Sequence, residues 1–396
     1  MTDIELKLLE ALSASLKGES VKWEPLSREN LIELYNLANV HQILPLVYES
    51  TYKSQGADPQ VKSIVMRSIM MQTLQTRDFL NFVNKMDEAG LHPLVVKGII
   101  ARSLYPIPDE RPSGDEDLFV TPDMFKTYHQ FFIEHDMITG ENIDAYEVAY
   151  QLKGSPLYIE LHKSLFSDKS QAYGSWNQFF YEAHKRAVVE KIEGIEIHTM
   201  CPDDHFLFLI LHALKHFLHG GVGIRQVADI MMFAKHYDID YDHVFEQLQK
   251  VSCGVFGATL LSIGQKYLIE APIPQKYLDL SQNIEDLLKD ILDAGVYGNS
   301  NLSRKHSSNI TLEAITLSNQ GKKAHASLKN TLFPKREDLV GRYPYLKKHG
   351  YLLPVAWIMR IGTYLKSSNK EDNNAAESIR LGKERVELLK EYKVIK

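Results

Sequence analysis

The stretch that decides the fold is LHPLVVKGIIARSLYPIPDERPSGDEDLFV, residues 91–120. Its apolar run at 94–96 predicts a short buried strand that ends at Lys97 and Gly98. Because a glycine has no Cβ, the backbone at Gly98 can turn tightly and approach a phosphate closely. The sequence therefore predicts a strand that is followed by a phosphate-binding turn.

The same stretch ends in two aspartates, Asp115 and Asp117, which lead into a second apolar run at 118–120. In an extended strand, residues two apart project from the same face and lie about 6.6 Å apart along the backbone. Two carboxylates at that spacing favour a bound cation, and oxygen ligands suit Mg²⁺ or Mn²⁺. A glycine turn beside such a pair indicates a nucleoside triphosphate bound with the metal. ATP is the default, because the sequence selects no base.

A second metal ion would need a third acid on a neighbouring strand, and Glu160 is the candidate. It lies between apolar residues in PLYIELH, residues 156–162. A hairpin of 146–152 with 157–162 would bring Glu160 beside the aspartate strand, since adjacent strands lie about 4.8 Å apart. His162 projects from the same side of its strand as Glu160. It is interpreted either as a core histidine or as a group that orients Glu160 or a leaving phosphate.

These motifs resemble the nucleotidyltransferase superfamily that has a DNA polymerase beta-like core. More narrowly, the chain resembles the uncharacterised nucleotidyltransferase family, through VKG at 96–98, RPSGDEDLFV at 111–120 and IELH at 159–162. The resemblance implies an α+β fold: a nucleotidyltransferase core with a small mixed sheet, flanked by N-terminal and C-terminal helical regions.

The resemblance also implies an activity. A nucleoside monophosphate would move from a triphosphate to an acceptor hydroxyl on a small molecule, a sugar or a protein, and pyrophosphate would leave. The implied catalytic and metal-binding residues are Asp115, Asp117 and Glu160, which would hold two ions about 3.5–4 Å apart. Glu160 has an alternative role as the base that takes the hydroxyl proton.

Two positions depart from the superfamily pattern. Ile99 follows Gly98 where a second Gly or a Ser usually holds the terminal phosphates, and Glu116 stands where an apolar residue is common. Triphosphate binding therefore needs further groups, and ammonium or guanidinium donors suit phosphate oxygens. The predicted nucleotide-binding residues are Lys97, Gly98, Arg111 and Ser113. Each of these positions also has a simpler interpretation. Arg111 and Ser113 could be ordinary polar residues of a proline-rich loop, and Glu116 could be an ordinary surface charge.

The 396 residues exceed what one core usually fills, so more than one domain is expected. The predicted units are an N-terminal helical region at 1–90, the nucleotidyltransferase core at 91–200, a C-terminal helical domain at 201–366 and a polar tail at 367–396. Helices are expected at 4–16, after Ser27, at 61–89, at 124–135 and at 206–218, with a surface helix at 375–392.

Net charge and composition limit the kinds of partner and the compartment that are expected. A net charge of −6 and a pI near 6.3 argue against an extended nucleic-acid footprint, which usually shows as a basic face. Two cysteines are too few for a disulfide framework and favour a reducing compartment. No apolar run approaches the about 18 residues of a membrane span, and the N-terminus does not read as a secretion signal. A cytoplasmic location is expected.

Four histidines, His205, His212, His216 and His219, fall near one face of the helix at 206–218 or its flanks. Imidazoles can bind zinc, but one straight helix cannot surround an ion. They are therefore expected to pack against the nucleotide-binding region. His216, Arg225 and Asp229 are candidates for the border of an acceptor cleft.

Two interpretations compete with an active transferase. One is a nucleotide-binding regulator that has lost catalysis, which Ile99 after Gly98 favours. The other is a helical interaction scaffold, which the large helical share of the chain favours. The acid triad argues for the transferase.

Overall fold

A computed structural model describes residues 1–140, 142–295, 302–323, 333, 336–340, 343–359 and 375–396. Four helices precede the first strand: α1 (Asp3–Leu16), α2 (Arg28–Val40), α3 (Leu44–Gln55) and α4 (Pro59–Glu88). Thr2, Ser27 and Asp58 each accept a hydrogen bond from a backbone amide in the first turn of α1, α2 and α4. These caps satisfy amides that a helix end leaves unpaired. The predicted helices at 4–16, after Ser27 and at 61–89 are confirmed.

Helix α3 was not predicted from the sequence. Its buried residues include Leu46, Val47, Tyr48 and Thr51, which lie next to one another in the chain rather than at helical spacing. A helix buried on several sides lacks the polar face that reveals amphipathic helices. Its sequence therefore gives no clear helical period.

Seven strands form one mixed sheet. They are β1 (Leu94–Val96), β2 (Glu116–Phe119), β3 (Met137–Ile138), β4 (Glu147–Leu152), β5 (Tyr158–His162), β6 (Val188–Ile192) and β7 (Ile195–Thr199), in the spatial order β3-β4-β5-β2-β1-β7-β6. Strand β2 lies antiparallel to β1 and parallel to β5. The predicted hairpin is the antiparallel pair β4 and β5. The parallel pairing of β5 with β2 places Glu160 directly opposite Asp117. The α+β fold with a small mixed sheet is confirmed.

Helices connect and follow the strands. Between strands lie α5 (Gly98–Arg102) and α6 (Phe125–Glu134). After the sheet come α7 (Pro202–His219), α8 (Ile224–His236), α9 (Tyr241–Lys250), α10 (Gly254–Tyr267), α11 (Gln275–Leu278), α12 (Ile284–Ala294), α13 (Leu302–Asn319), a short helix Arg336–Leu339 and a C-terminal helix Ala375–Glu391. The predicted helices at 124–135 and 206–218 correspond to α6 and α7. Helix α7 ends at His219, one residue beyond the predicted end, and Gly220 follows it.

Apolar side chains from all these parts form one contiguous core. It runs from Ile4 on α1 through the sheet to Phe206 and Phe217 on α7, and reaches Ile395 near the C-terminus. A small separate cluster contains Leu339, Tyr343, Leu346 and Ala356. The predicted domain boundaries stay predictions, and the one between 366 and 367 lies outside the described residues. No helix in the described ranges is long and apolar enough to cross a membrane.

The C-terminal helix does not lie on the surface as the sequence predicted. It packs along α13, and the side chains of Val386, Leu389 and Tyr392 are fully buried. The Tyr392 hydroxyl donates to the backbone oxygen of Asn283, 3.0 Å away. The high charge of this segment hid the narrow apolar stripe that anchors it.

We predict that Leu389→Ala lowers the free energy of unfolding by about 2–5 kcal/mol, because a buried leucine leaves a cavity when it is truncated. Lys383→Ala, on an exposed position of the same helix, should change stability little. Urea unfolding would measure both. Equal stability of the two variants would contradict the buried packing of this helix.

Candidate active site

The turn after β1 has an unusual backbone. Lys97 has φ 57° and ψ −128°, and Gly98 has φ +40°, so both lie outside the region that L-residues prefer. Two side-chain acceptors hold the turn. The backbone N–H of Lys97 donates to His205 Nε2 at 3.0 Å, and that of Ile99 donates to Glu116 Oε2 at 2.7 Å. Such strain persists only where the surroundings fix it.

Glu116 is a buried structural residue, so its interpretation as a surface charge is wrong. Its side chain has no exposed surface and pairs with Arg102, which is 1% exposed, at 2.7 Å. A Cβ added to Gly98 would stand 2.0 Å from Glu116 Oε2. Gly98 therefore allows the close approach of an internal carboxylate, where the sequence predicted the approach of a phosphate.

Asp117 lies at the centre of a buried charge network. Its Oδ2 is 2.7 Å from Lys97 Nζ, and its Oδ1 is 2.9 Å from His162 Nε2. Burial would raise the pKa of Asp117, but the Lys97 ammonium and the His162 hydrogen bond outweigh it and hold that pKa below its ordinary value. Burial would lower the pKa of His162, yet its carboxylate partners raise it to about 9. His162 is therefore a charged donor to Asp117 at neutral pH, and not an ordinary core histidine.

Glu160 completes the acidic centre from the neighbouring strand. It is opposite Asp117 in the parallel pair of β2 and β5, and its Oε2 lies 3.6 Å from His162 Nε2. One ligand atom from each of Asp117, Glu160 and His162 lies within 4.8 Å of the others. The two carboxylates suit a hard divalent cation such as Mg²⁺ or Mn²⁺. His162, charged at neutral pH, has no nitrogen lone pair to offer an ion.

Asp115 lies one residue before β2 and outside that group of three. Burial first, and then the Asp117 charge, raise the pKa of Asp115 to about 6, against the opposing effect of Lys97. Asp115 and Asp117 nevertheless open on the same cleft. The structure thus brings Asp117 and Glu160 side by side on the inner strands β2 and β5, with Asp115 next to them at the start of β2.

A cleft of about 450 Å³ adjoins these acids. Its lining comes from the β1 turn, the loop before β2, α7 and α8. The lining residues are Lys97, Gly98, Arg111, Ser113, Asp115, Asp117, Leu209, His212, Arg225, Gln226, Asp229 and Ile230. All four predicted nucleotide-binding residues therefore line one cleft together with both aspartates.

Arg111 lines this cleft and forms an ion pair with Asp229. Its Nε and Nη2 donate to the two carboxylate oxygens of Asp229 at 3.0 and 2.5 Å, and the Tyr105 hydroxyl donates to the same carboxylate at 2.8 Å. The ion pair is buried and links the loop before β2 to α8. Asp229 and Arg225, predicted at the border of an acceptor cleft, do line the cleft, whereas His216 does not.

Ser113 shapes the loop that carries Asp115. Its hydroxyl donates to the backbone oxygen of Asp115 at 2.9 Å, and its amide donates to Gln72 Oε1 on α4 at 2.7 Å. A predicted phosphate ligand is thus engaged within its own loop.

The histidines of α7 contact the sheet and the site, as predicted. His205 accepts from the Lys97 amide, and His212 Nε2 lies 3.3 Å from Lys97 Nζ and 3.1 Å from His216 Nε2. His219 contacts the Tyr173 hydroxyl at 2.8 Å. Burial, and Lys97 next, lower the pKa of His205 to about 3 and that of His212 well below its ordinary value. In the described part of the chain, the candidate metal group contains none of these four residues.

Three residues of the site were not found from the sequence. Gln72 holds the Ser113 loop, Glu147 lies 3.5 Å from His162, and the pKa of Lys215 is lowered by burial against the charge of Glu147. Lys215 could have been noticed, because it is one residue from His216 on the polar stripe of α7. Gln72 and Glu147 carry no motif signal.

The chain belongs to the family described as uncharacterised nucleotidyltransferase, which it matches over residues 27–268, more than half of its length. Among solved structures, it is similar to an antigenic nucleotidyltransferase-like protein from Paracoccidioides brasiliensis. That likeness has 16% sequence identity, covers 51% of this chain and 94% of that chain, and has a TM-score of 0.32. No curated protein matches the chain. The family predicted from the three sequence motifs is confirmed.

We predict that Gly98→Ala destabilises the protein by more than about 1–2 kcal/mol, the usual cost of a left-handed L-residue. The added methyl would also have to displace the Glu116 carboxylate. Gly114→Ala is the matched control, since its Cβ would meet nothing within 4 Å. Urea unfolding of both variants is the measurement, and similar losses would refute the close approach at Gly98.

Proposed function

We propose that the protein is a metal-dependent nucleotidyltransferase that moves a nucleoside monophosphate from a triphosphate, with ATP as the default, to an acceptor hydroxyl. The observation that carries the proposal is the pairing of Asp117 with Glu160 across β2 and β5, beside a cleft that Asp115 and Lys97 line. Membership of a nucleotidyltransferase family supports the class of reaction.

Asp115, Asp117 and Glu160 are the proposed metal ligands. A divalent ion held there would offset the charge of the triphosphate and of the leaving pyrophosphate. Asp117 stays ionised at all physiological pH values because its pKa lies below the ordinary range. His162 donates to Asp117 and so fixes the orientation of its carboxylate.

Glu160 differs from Asp117 in exposure, with 30% of its side chain accessible against 4%. An accessible carboxylate at the edge of the acidic centre is suited to receive the proton of an acceptor hydroxyl. The polar groups of Arg225, Gln226 and Asp229 line the part of the cleft formed by α8. They are the proposed neighbours of a polar acceptor of small or local size.

Lys97 is the proposed triphosphate ligand. Its ammonium is 2.7 Å from Asp117, so it occupies a position beside the carboxylate that a divalent ion would also need. We propose that Lys97 turns from Asp117 to the phosphates when metal and nucleotide enter together. Arg111, paired bidentately with Asp229, is proposed to hold the wall of the cleft and to add a fixed positive charge there.

A second candidate function is a nucleotide-binding regulator without catalysis. The specific observation in its favour is that the Ile99 amide already donates to Glu116, so this amide is not offered to a phosphate. We also propose a cytoplasmic location, which the free state of Cys201 and Cys253 supports. The helical scaffold stays a prediction.

Pyrophosphate release separates the transferase from the regulator. With Mg²⁺, each triphosphate and a panel of hydroxyl acceptors, we expect turnover by the native protein. Asp117→Asn and Glu160→Gln should each reduce it by at least about a hundredfold, the usual scale for a lost catalytic group. Glu196→Gln, on an exposed position of β7, is the matched control. Full activity of Asp117→Asn would contradict the transferase proposal. Tight ATP binding by the native protein without turnover would favour the regulator.

The proposed role of Lys97 predicts that replacing it changes the affinity for Mn²⁺ in opposite directions without and with nucleotide. Without nucleotide, Lys97→Met should bind Mn²⁺ several-fold more tightly than the native protein, because a competing ammonium beside Asp117 is gone. With ATP present, the same variant should bind Mn²⁺ less tightly, because a phosphate ligand is gone. Electron paramagnetic resonance of free Mn²⁺ measures both affinities, and Lys126→Met on an exposed position of α6 is the control. A change of the same sign in both conditions would overturn the assignment.

A further inference from the structure

A second cleft, of about 380 Å³, lies where the end of α1, helix α3 and the loop before Arg111 meet. Among its lining residues are Ser15, Glu19, Glu49, Lys53, Ile107 and Glu110. It shares no lining residue with the candidate active site. Nothing in the proposed transferase reaction uses these groups.

Glu110 is distinguished by comparison with the other buried acids. Among the described residues, five carboxylates are at least nine-tenths buried, and these are Glu110, Glu116, Asp117, Asp204 and Asp229. The last four each pair with a lysine or arginine, at 2.5 to 2.8 Å. Glu110, 6% exposed, has no side-chain hydrogen bond or ion pair with any residue that the structure describes. Of these five carboxylates in the described residues, Glu110 is the one without a lysine or arginine partner.

A buried carboxyl without a partner has two stable forms. It can keep its proton, or it can ionise beside a cation that enters from solution. Burial first, and then the charge of Glu49, raise the pKa of Glu110 to about 8. The empty cleft therefore holds a neutral Glu110 at pH 6 and an ionised one at pH 9.

We infer that this cleft binds the ammonium or guanidinium group of an organic cation, with Glu110 as the counter-ion. Three carboxylates, those of Glu19, Glu49 and Glu110, face the cleft against one ammonium, that of Lys53. Pro106, Ile107 and Leu46 add an apolar wall that suits an alkyl chain. A metal ion fits less well, because in the described ranges the one group of three clustered metal-ligand side chains lies at Asp117. An organic cation brings its own N–H donors and needs fewer protein ligands.

Binding to this cleft should release a proton. At pH 7 Glu110 carries a proton when the cleft is empty, and an entering cation displaces it, so affinity rises as the pH goes from 6 to 9. The other charged groups that line the cleft are Glu19, Glu49 and Lys53. Glu110→Gln removes the titrating group and should abolish both the proton release and the rise in affinity.

Agmatine is a suitable probe, because its guanidinium stays charged over this whole range. Isothermal titration calorimetry at pH 7, in buffers of different ionisation enthalpy, gives both the affinity and the number of protons released. For the native protein we expect close to one released proton. For Glu110→Gln we expect none, with affinity weaker by about tenfold, the equivalent of about 1.4 kcal/mol.

Three controls keep the result specific to this cleft. Glu29→Gln, exposed on α2, should behave as the native protein does. Asp117→Asn should also retain agmatine binding, which excludes the acidic centre of the active site as the binding position. Tetramethylammonium, a cation without N–H donors, should not compete. Agmatine binding that Glu110→Gln leaves unchanged, or no binding at pH 9, would overturn the inference.

The cation could belong to a small amine or to a side chain of a polypeptide. Short capped peptides that contain one lysine or one arginine, compared with agmatine in the same titration, separate the sources. Tighter peptide binding that depends on Glu110 would identify a docking site for a basic segment. Binding of agmatine alone would identify a small-molecule site.

Discussion

Two adjacent buried acids on β2 each require a cation, and this requirement organises the region of the candidate active site. Glu116 and Asp117 are neighbours in an extended strand, so their side chains project to opposite faces. Arg102 pairs with Glu116 at 2.7 Å, and Lys97 pairs with Asp117 at 2.7 Å. Both cations come from the six residues 97–102, the turn and helix that follow β1. The β1 turn is therefore fixed to β2 from both sides of the sheet, and a buried acid that lost its cation would be strongly destabilising.

The sequence predicted the parts of this arrangement that depend on local pattern. The apolar run at 94–96, the aspartates before a second apolar run and the hairpin that carries Glu160 all follow from strand periodicity and turn residues. The structure has each of them, with Glu160 opposite Asp117. The register of β4 against β5 follows from local rules, because a short turn joins them and an apolar face fixes which residues point inward. The register of β2 against β5, which sets Glu160 opposite Asp117, joins strands that lie far apart in the chain.

The missed features depend on contacts between residues far apart in the chain. Glu116 was interpreted as a surface charge because its partner Arg102 belongs to a helix of only five residues, which the sequence pattern did not predict. Arg111 was predicted as a nucleotide ligand, and the sequence did not show that its Nε and Nη2 donate to Asp229, 118 residues later. For His162 the sequence left two interpretations open, because only the register of β2, β4 and β5 places it between Asp117, Glu147 and Glu160. Sequence spacing predicts which face of a strand or helix a side chain lies on. It does not predict which charged residue from a distant part of the chain contacts it there.

The charge balance around Asp117 also gives two histidines of α7 a role as neutral hydrogen-bond acceptors. His205 is buried and His212 partly buried next to Lys97, and their lowered pKa values keep both neutral. A neutral imidazole can accept a hydrogen bond, whereas an imidazolium cannot. His205 therefore accepts the Lys97 amide and stabilises a strained backbone, and His212 accepts from the Lys97 ammonium without repelling it. Lys97 is thus held by neutral acceptors from α7 and by one charged acceptor, Asp117, from β2. In the exchange proposed for Lys97, an entering metal ion would supply the cation that the buried Asp117 carboxylate needs, and the contacts from α7 would keep the β1 turn in place.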